Sequence, residues 1–263
     1  MKKNFFILFL FFACIAFKSS DYTLIKTINY QASYITTDNL GNLYTLSGNE
    51  LRKYDSNGNL LKTFSDKAHG NISFVDVSNP LKILLYYHDF RLILFLDNML
   101  SICGDPLSLD NMNIIQGSLV CNSYENGLWI YDQQDFQLIR FDKNRKMSNQ
   151  SGNIAQLTGV EIKPEYMFET GNMVYLNDTA NGIFVFDKYG TYSKTLPFKG
   201  INNFQIISDN IIYMSGAMLI KYNLKTLEQT KINLPKDNAS LALIEKDRLF
   251  ISDAFSVYIY SVK

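Results

Sequence analysis

The stretch Leu51-Arg52-Lys53-Tyr54-Asp55 decides the fold, because five similar stretches follow it along the chain. Each is a short run rich in aliphatic residues, and an aromatic residue stands near its end. Such runs, separated by Gly- and Asn-containing turns, predict β-strands joined in hairpins. The six copies occupy residues 51–55, 92–96, 138–142, 183–187, 219–223 and 257–261.

The copies keep a regular spacing. Their aromatic residues lie 36 to 46 positions apart and are Tyr54, Phe95, Phe141, Phe186, Tyr222 and Tyr260. A second apolar strand lies upstream of each aromatic residue, at Leu43-Tyr44, Leu84-Leu85, Leu128-Trp129, Val174-Tyr175, Ile212-Tyr213 and Leu249-Phe250. Six copies with a period of about 40 residues indicate a β-propeller rather than a sandwich or an open sheet.

We therefore predict an all-β chain that forms a six-bladed β-propeller of four-stranded blades. No long segment has the period of an amphipathic helix. The sixth copy is followed by too few residues for an outer strand, whereas residues 22–29 form a strand that precedes the first copy. Pairing that N-terminal strand with the sixth blade would close the ring and leave no unpaired strand edge at the junction.

The N-terminus predicts export. Met1-Lys2-Lys3-Asn4 precedes an uncharged run from Phe5 to Ala16, which is too short to cross a bilayer but fits a secretory signal peptide. We therefore assign residues 1–16 to a signal peptide and residues 17–263 to a single propeller domain. Two processing routes stay open: cleavage after Ala16, or lipoprotein processing at Cys14.

One blade carries a more specific pattern. Residues 38–44 and 51–59 resemble an NHL repeat, in which Asp-x-x-Gly-Asn-aliphatic-Tyr precedes a strand that ends in Lys-aromatic-Asp-x-x-Gly. Residues 186–190 keep the second half, whereas the Asp after the aromatic is replaced elsewhere by Leu96, Asn223 and Ser261. The resemblance implies a six-bladed ring and no particular activity. Together with the signal peptide and the Lys-, Asn-, Ile-, Phe- and Tyr-rich composition, the chain resembles exported propellers of Bacteroidota.

Composition and charge exclude several classes of protein. The 263 residues are 47% hydrophobic, which argues against intrinsic disorder. Lys and Arg total 25 and Asp and Glu also total 25, so the chain lacks the basic surplus of a nucleic-acid-binding protein. With only two histidines, a His-rich metal site is excluded.

Enzymatic motifs are missing from the sequence. No nucleophile elbow, phosphate-binding loop or metalloprotease helix is present. His88 next to Asp89 is the only His–carboxylate neighbour pair, and we interpret it as part of a turn. Some six-bladed enzymes of the lactonase kind hold a divalent ion in the central channel. The residues at comparable positions, which we interpret instead as mainly turn-forming, are Asp38, Asp76, Gln116, Glu169 and Glu245.

Three phenylalanines recur five positions before the strand aromatic, at Phe90, Phe136 and Phe255. We expect them to begin the third strand and fill the gaps between blades. The alternative is that they are exposed and, with Tyr87, His88 and Trp129, form a protein- or glycan-binding rim. We expect Cys103 and Cys121 to lie too far apart for a disulfide and to remain free thiols.

These observations predict an exported, non-catalytic scaffold that binds an envelope protein, for example in an outer-membrane assembly or secretion complex. It would lie in the periplasm or at the cell surface, with membrane contact only through a lipid on Cys14. No catalytic, cofactor-binding or metal-binding residue is assigned. The alternatives are a divalent-metal-dependent lactonase or hydrolase, and a glycan-binding module.

Overall fold

Six four-stranded antiparallel sheets make up the structure, a computed structural model that describes residues 22–262. The sheets follow one another along the chain as the blades of a six-bladed β-propeller, which confirms the predicted fold. The predicted signal peptide, with Cys14, lies outside the described residues.

Within each blade the first strand lies nearest the central channel and the last strand lies at the outer edge. Blade 1 contains β2 (Tyr34–Thr37), β3 (Leu43–Ser47), β4 (Glu50–Tyr54) and β5 (Leu60–Ser65). Blade 2 contains β6 (Phe74–Asp76), β7 (Ile83–Tyr87), β8 (Leu92–Leu96) and β9 (Leu107–Ser108). Blade 3 contains β10 (Gly117–Ser123), β11 (Gly127–Asp132), β12 (Gln137–Phe141) and β13 (Met147–Gln150).

The second half of the ring repeats this arrangement. Blade 4 contains β14 (Tyr166–Thr170), β15 (Met173–Asp178), β16 (Gly182–Asp187) and β17 (Tyr192–Leu196). Blade 5 contains β18 (Phe204–Ile207), β19 (Asn210–Ser215), β20 (Met218–Asn223) and β21 (Gln229–Asn233). Blade 6 contains β22 (Leu241–Glu245), β23 (Arg248–Ser252), β24 (Val257–Val262) and, as its outer strand, β1 (Tyr22–Ile28).

Helical structure is confined to short connections. The helix α1 (Ile154–Thr158) joins blades 3 and 4, and 3-10 turns occupy His88–Phe90, Asp110–Met112 and Tyr124–Asn126. Within residues 22–262, no helix has the length and apolar character needed to cross a membrane.

The ring closes through β1, which pairs antiparallel with β24 from Tyr22 opposite Val262 to Ile28 opposite Val257. This is the closure predicted for the N-terminal strand. The pairing also shows at which face of the ring each end of β1 lies. Ile28 lies beside the turn that precedes β24, whereas Tyr22 lies at the other end of the strand. We call the face that carries the turns between second and third strands the upper face, and the opposite one the lower face.

Neighbouring blades are held together by six apolar clusters, one for each pair of blades. β7 shows how a strand serves two of them, since all five of its residues are buried. Ile83, Leu85 and Tyr87 belong to the cluster with blade 1, and Leu84 and Tyr86 to the cluster with blade 3. Because side chains alternate between the two faces of a strand, each central strand needs a neighbour on both sides.

The register of blade 2 corrects the sequence alignment by one residue. In blade 1 Tyr54 pairs with Leu43, and in blade 3 Phe141 pairs with Leu128. The residue at the matching position of blade 2 is Leu96, which pairs with Ile83. Phe95 therefore packs against blade 3, whereas the recurring aromatics of the other blades pack against the preceding blade. The aspartate that seemed replaced by Leu96 is present as Asp97.

The turns after the third strands are built alike. The carboxylate of Asp97 accepts hydrogen bonds from the backbone amides of Met99 and Ser101, both at 2.8 Å. The same turn follows Asp55, Asp142 and Asp187, and the side-chain oxygen of Asn223 accepts two backbone amides in blade 5. These Asx turns set the length of the connection to the outer strand.

Replacing Phe184 by alanine tests the contribution of the apolar clusters. Phe184 is 1% exposed between blades 3 and 4, so truncation should leave a cavity and lower the free energy of unfolding by about 4 kcal/mol. Urea unfolding measures this change. Leu61→Ala, at a site 46% exposed on β5, is the control and should have little effect; equal losses in both variants would contradict the prediction.

Candidate functional site

The central channel is lined by the inner strands and holds a cavity of about 290 Å³. Its walls include five aromatic side chains from blades 1, 2, 4 and 5, which are Tyr34, Phe74, Tyr166, Phe168 and Phe204. The inner strands therefore place aromatic rings along part of the channel wall. Polar side chains, among them Asp76, Glu169, Gln205 and Glu245, line other parts of the chamber.

Tyr166 is the centre of this aromatic group. Its ring contacts those of Phe74 and Phe204 edge to face, with centroids 5.9 Å apart in both cases. Burial in this group raises the pKa of Tyr34 to about 12 and raises the pKa of Tyr166 as well. Tyr34, Phe74 and Tyr166 also border a second cavity of about 370 Å³, so they lie between two chambers of the channel.

Among the predicted channel residues, Asp38 is turn-forming as expected. It is 1% exposed, and one carboxylate oxygen accepts the backbone amides of Leu40 and Asn42. The other oxygen accepts hydrogen bonds from the Asn42 side chain and, at 3.0 Å, from the Tyr44 hydroxyl. All these donors come from blade 1, so Asp38 holds the local turn together.

Glu169 contradicts the expectation of a turn-forming residue. Its carboxylate reaches across to blade 3, where it accepts hydrogen bonds from the Ser123 hydroxyl at 2.6 Å and the Trp129 indole at 2.8 Å. The backbone amide of Tyr124 donates to the same carboxylate at 3.2 Å. Glu169 therefore links the inner ends of blades 3 and 4.

Arg140, which the sequence analysis did not select, completes this link. It is 3% exposed, donates to the Ser123 hydroxyl and the Tyr124 carbonyl, and lies 3.6 Å from the centre of the Tyr124 ring. Ser123 thus bridges the guanidinium and the Glu169 carboxylate. The sequence did not single out Arg140, because Arg52 and Lys221 lie in equivalent recurring strands and are not buried.

Two other inner-strand residues join blades in the same way. The Asp76 carboxylate accepts the backbone amide of Asn122 in blade 3 at 2.7 Å. The Gln205 side chain accepts from the Ile244 amide and donates to the Ile244 carbonyl in blade 6. The polar groups at these positions therefore serve mainly to connect blades.

Of the two remaining candidate channel residues, Glu245 lines the channel and Gln116 does not. Glu245 ends β22 and lines the 290 Å³ cavity, and burial raises the pKa of its carboxyl group. Gln116 is exposed on the upper face, away from the channel carboxylates. In the part of the chain that the structure describes, no three His, Cys, Asp or Glu residues are arranged to hold a metal ion. The residues present therefore do not fit the metal site of a lactonase.

Of the three phenylalanines of the upper face, one fills a gap between blades and two are exposed. Phe136 packs against the cluster between blades 3 and 4, as the gap-filling interpretation expects. Phe90 and Phe255 are instead 54% and 77% exposed. The fold thus leaves two of the three rings accessible to a partner.

The other predicted rim residues differ in exposure: two are buried and one is exposed. Tyr87 and Trp129 are fully buried between blades, so the alternative in which they belong to an exposed rim is wrong for these two residues. The cause is strand alternation, which turns both side chains into the apolar clusters. His88 is exposed, and its Nδ1 lies 3.6 Å from a carboxylate oxygen of the even more exposed Asp89.

The two described cysteines form no disulfide. Cys103 is exposed on the outer edge of blade 2, whereas Cys121 is buried on β10, where burial raises the pKa of its thiol. Their positions at opposite ends of their blades explain why they do not meet.

Comparisons with known proteins support the fold. No family model and no curated protein matches the sequence. Among solved structures, the chain is similar to the WD40 domain of Neurospora crassa Pan2, with a TM-score of 0.63 and 9% identity over 92% of this chain and 95% of that one. It is also similar to virginiamycin B lyase from Staphylococcus aureus, with a TM-score of 0.61 and 10% identity over 92% and 100%.

A third similar chain comes from a structure of the Mitotic Checkpoint Complex, with a TM-score of 0.62 and 7% identity over 98% of this chain and 99% of that one. At such low identity these similarities show the fold alone. The protein is a six-bladed β-propeller, and its structural neighbours include a WD40 domain and a lyase.

Replacing Glu169 by alanine tests the link between blades 3 and 4. The change removes the acceptor for Ser123 and Trp129, and we expect a loss of about 2 kcal/mol in the free energy of unfolding. Trp129 is the only tryptophan, so its fluorescence should report the lost hydrogen bond. Glu161→Ala, which removes only an exposed pair with Lys163, is the matched control; unchanged fluorescence and stability at Glu169→Ala would refute the link.

Proposed function

We propose that this protein is an exported, non-catalytic β-propeller that binds a protein partner through its upper face and acts as a scaffold in the bacterial cell envelope. The observation that carries the proposal is the exposure of Phe255, which is 77% accessible although it belongs to a well-ordered turn. Large aromatic side chains presented on a rigid turn are typical anchors of protein interfaces.

The Phe255 turn is built around Asp253. One carboxylate oxygen of Asp253 accepts the backbone amides of Phe255 and Ser256, both at 2.9 Å. The other oxygen accepts the Tyr258 hydroxyl at 2.9 Å. Because the backbone of this turn is already fixed, little conformational entropy would be lost when a partner covers the ring.

Phe90 is presented in a similar way on blade 2. It ends the 3-10 turn His88–Phe90, which is closed by a hydrogen bond from the Arg91 amide to the His88 carbonyl. Its ring contacts the His69 ring edge to face, with centroids 5.8 Å apart. Turns between second and third strands share one face of a propeller, so Phe90 and Phe255 would engage the same side of a partner.

Export and envelope location rest on residues 1–16, and the NHL-like pattern of blade 1 agrees with a non-catalytic ring. The direction of β1 bears on a lipid at Cys14. Since Tyr22 begins β1 at the lower face, an anchor eight residues before residue 22 would attach there and leave the upper face accessible. A scaffold of this kind would act within an assembly, such as an outer-membrane or secretion complex.

Pull-down from envelope extracts tests the proposed surface. The double variant Phe90→Ala/Phe255→Ala should lose the partner that the unaltered protein retains, because each change removes an exposed anchor without opening the core. The matched control is Tyr189→Ala/Leu227→Ala, whose residues are 55% and 65% exposed in turns of the lower face. Recovery of the same partner by the upper-face variant, or its loss only in the control, would overturn the proposal.

Mass spectrometry of the mature N-terminus tests export and anchoring. We expect residues 1–13 or 1–16 to be removed from protein produced in its own host. A diacylated Cys14 would show anchoring at the lower face, and a free Phe17 would show a soluble exported protein. An intact Met1 in protein recovered from whole cells would contradict export altogether.

A further inference from the structure

Glu245 is a carboxylate without a protein partner. It lines the 290 Å³ channel cavity, and within residues 22–262 no hydrogen bond or ion pair is made to its side chain. The other carboxylates of the same chamber, Asp76 and Glu169, accept hydrogen bonds from blade 3. Glu245, which is half-buried, is therefore the carboxylate of this chamber whose hydrogen-bonding capacity is left for a ligand.

The charges around Glu245 do not compensate for its burial. Asp38 faces it from blade 1 and adds a like charge, and burial together with Asp38 raises the pKa of the carboxyl group. Lys246 opposes this shift as the adjacent residue. Arg248 is the strand partner of Glu245, but its guanidinium donates to the Ser56 carbonyl and to Asp247.

One part of the same chamber wall is aromatic. Phe168 and Phe204 lie with ring centroids 5.2 Å apart, and Phe74 and Tyr166 extend the same wall. Aromatic faces attract ammonium and guanidinium groups, and a nearby carboxylate adds a charge of opposite sign. The carboxylates of the chamber are spread out rather than convergent, which suits an organic cation and not a divalent ion.

We propose that the chamber between Glu245 and the aromatic wall is a binding site for a small organic cation that carries an ammonium or guanidinium group. The cationic head would pair with Glu245, and its carbon atoms would contact Phe168 and Phe204. The site is separate from the upper-face protein surface. Its volume of about 290 Å³ limits the ligand to a small molecule or a single side chain of a larger one.

We expect the variant Glu245→Gln to raise the melting temperature of the unliganded protein and to weaken its binding of cations. The substitution removes a half-buried charge that has no hydrogen-bonding partner among the described residues, so the unliganded variant should melt at a higher temperature than the unaltered protein at neutral pH. The folded-state pKa lies above that of the unfolded chain, so the stability of the protonated form is lost as pH rises through it. The difference between the two proteins should therefore shrink as the pH falls and vanish below about pH 4, where Glu245 is protonated in both the folded and the unfolded chain.

Cation binding should change in the other direction. Choline and agmatine, titrated into the purified protein by calorimetry, should bind and raise its melting temperature, whereas Glu245→Gln should bind them about tenfold more weakly. Phe168→Leu should also weaken binding with no change in charge. The neutral isostere of choline, 3,3-dimethylbutan-1-ol, and millimolar calcium should produce no shift.

Several results would overturn this proposal. They are equal binding to Glu245→Gln, equal binding of the neutral isostere, no binding of either cation at millimolar concentration, or a response to calcium alone. Binding of an arginine-containing peptide with agmatine inactive would assign the site to a partner's side chain rather than to a free cation. The matched control is Glu161→Gln, an exposed residue far from the channel that should leave both readouts unchanged.

Discussion

The packing of each blade against its two neighbours is the interaction on which the structure depends. The central strands are buried on both faces, as the five buried residues of β7 show. An isolated blade would expose both of these faces to water, at a cost that scales with apolar area. The blades are therefore stable only as a closed ring. This is why blade 6 must acquire β1 from the other end of the chain.

Near the axis, the blades are joined by polar contacts instead. The inner strands are short and converge, so apolar side chains give way to links such as Glu169 with Trp129, Asp76 with the Asn122 amide, and Gln205 with Ile244. Each link satisfies a polar group at the place where water is excluded. Glu245 occupies a corresponding position but forms no such link. Its carboxylate therefore remains available to a ligand, whereas those of Asp76 and Glu169 connect blades.

The surface and the channel illustrate two different uses of aromatic residues. Most of the aromatic side chains are structural: Trp129 and Tyr87 fill the gaps between blades, and Tyr166 separates two chambers of the channel. Phe90 and Phe255 have the same chemistry but lie outside any cluster. Composition could not separate these groups, because burial is decided by which way a strand or turn directs the side chain.

The sequence by itself determined the blade number, the four-stranded plan and the closure by residues 22–29, because these follow from a repeat of local hydrophobic pattern. It also identified Asp38 as a turn residue, since an Asx turn involves only near neighbours in the chain. Only the tertiary structure decided the register of blade 2, the burial of Tyr87 and Trp129, and the roles of Glu169, Arg140 and Glu245. Those properties depend on side chains from different blades that meet only when the ring closes, and no local pattern encodes such a meeting.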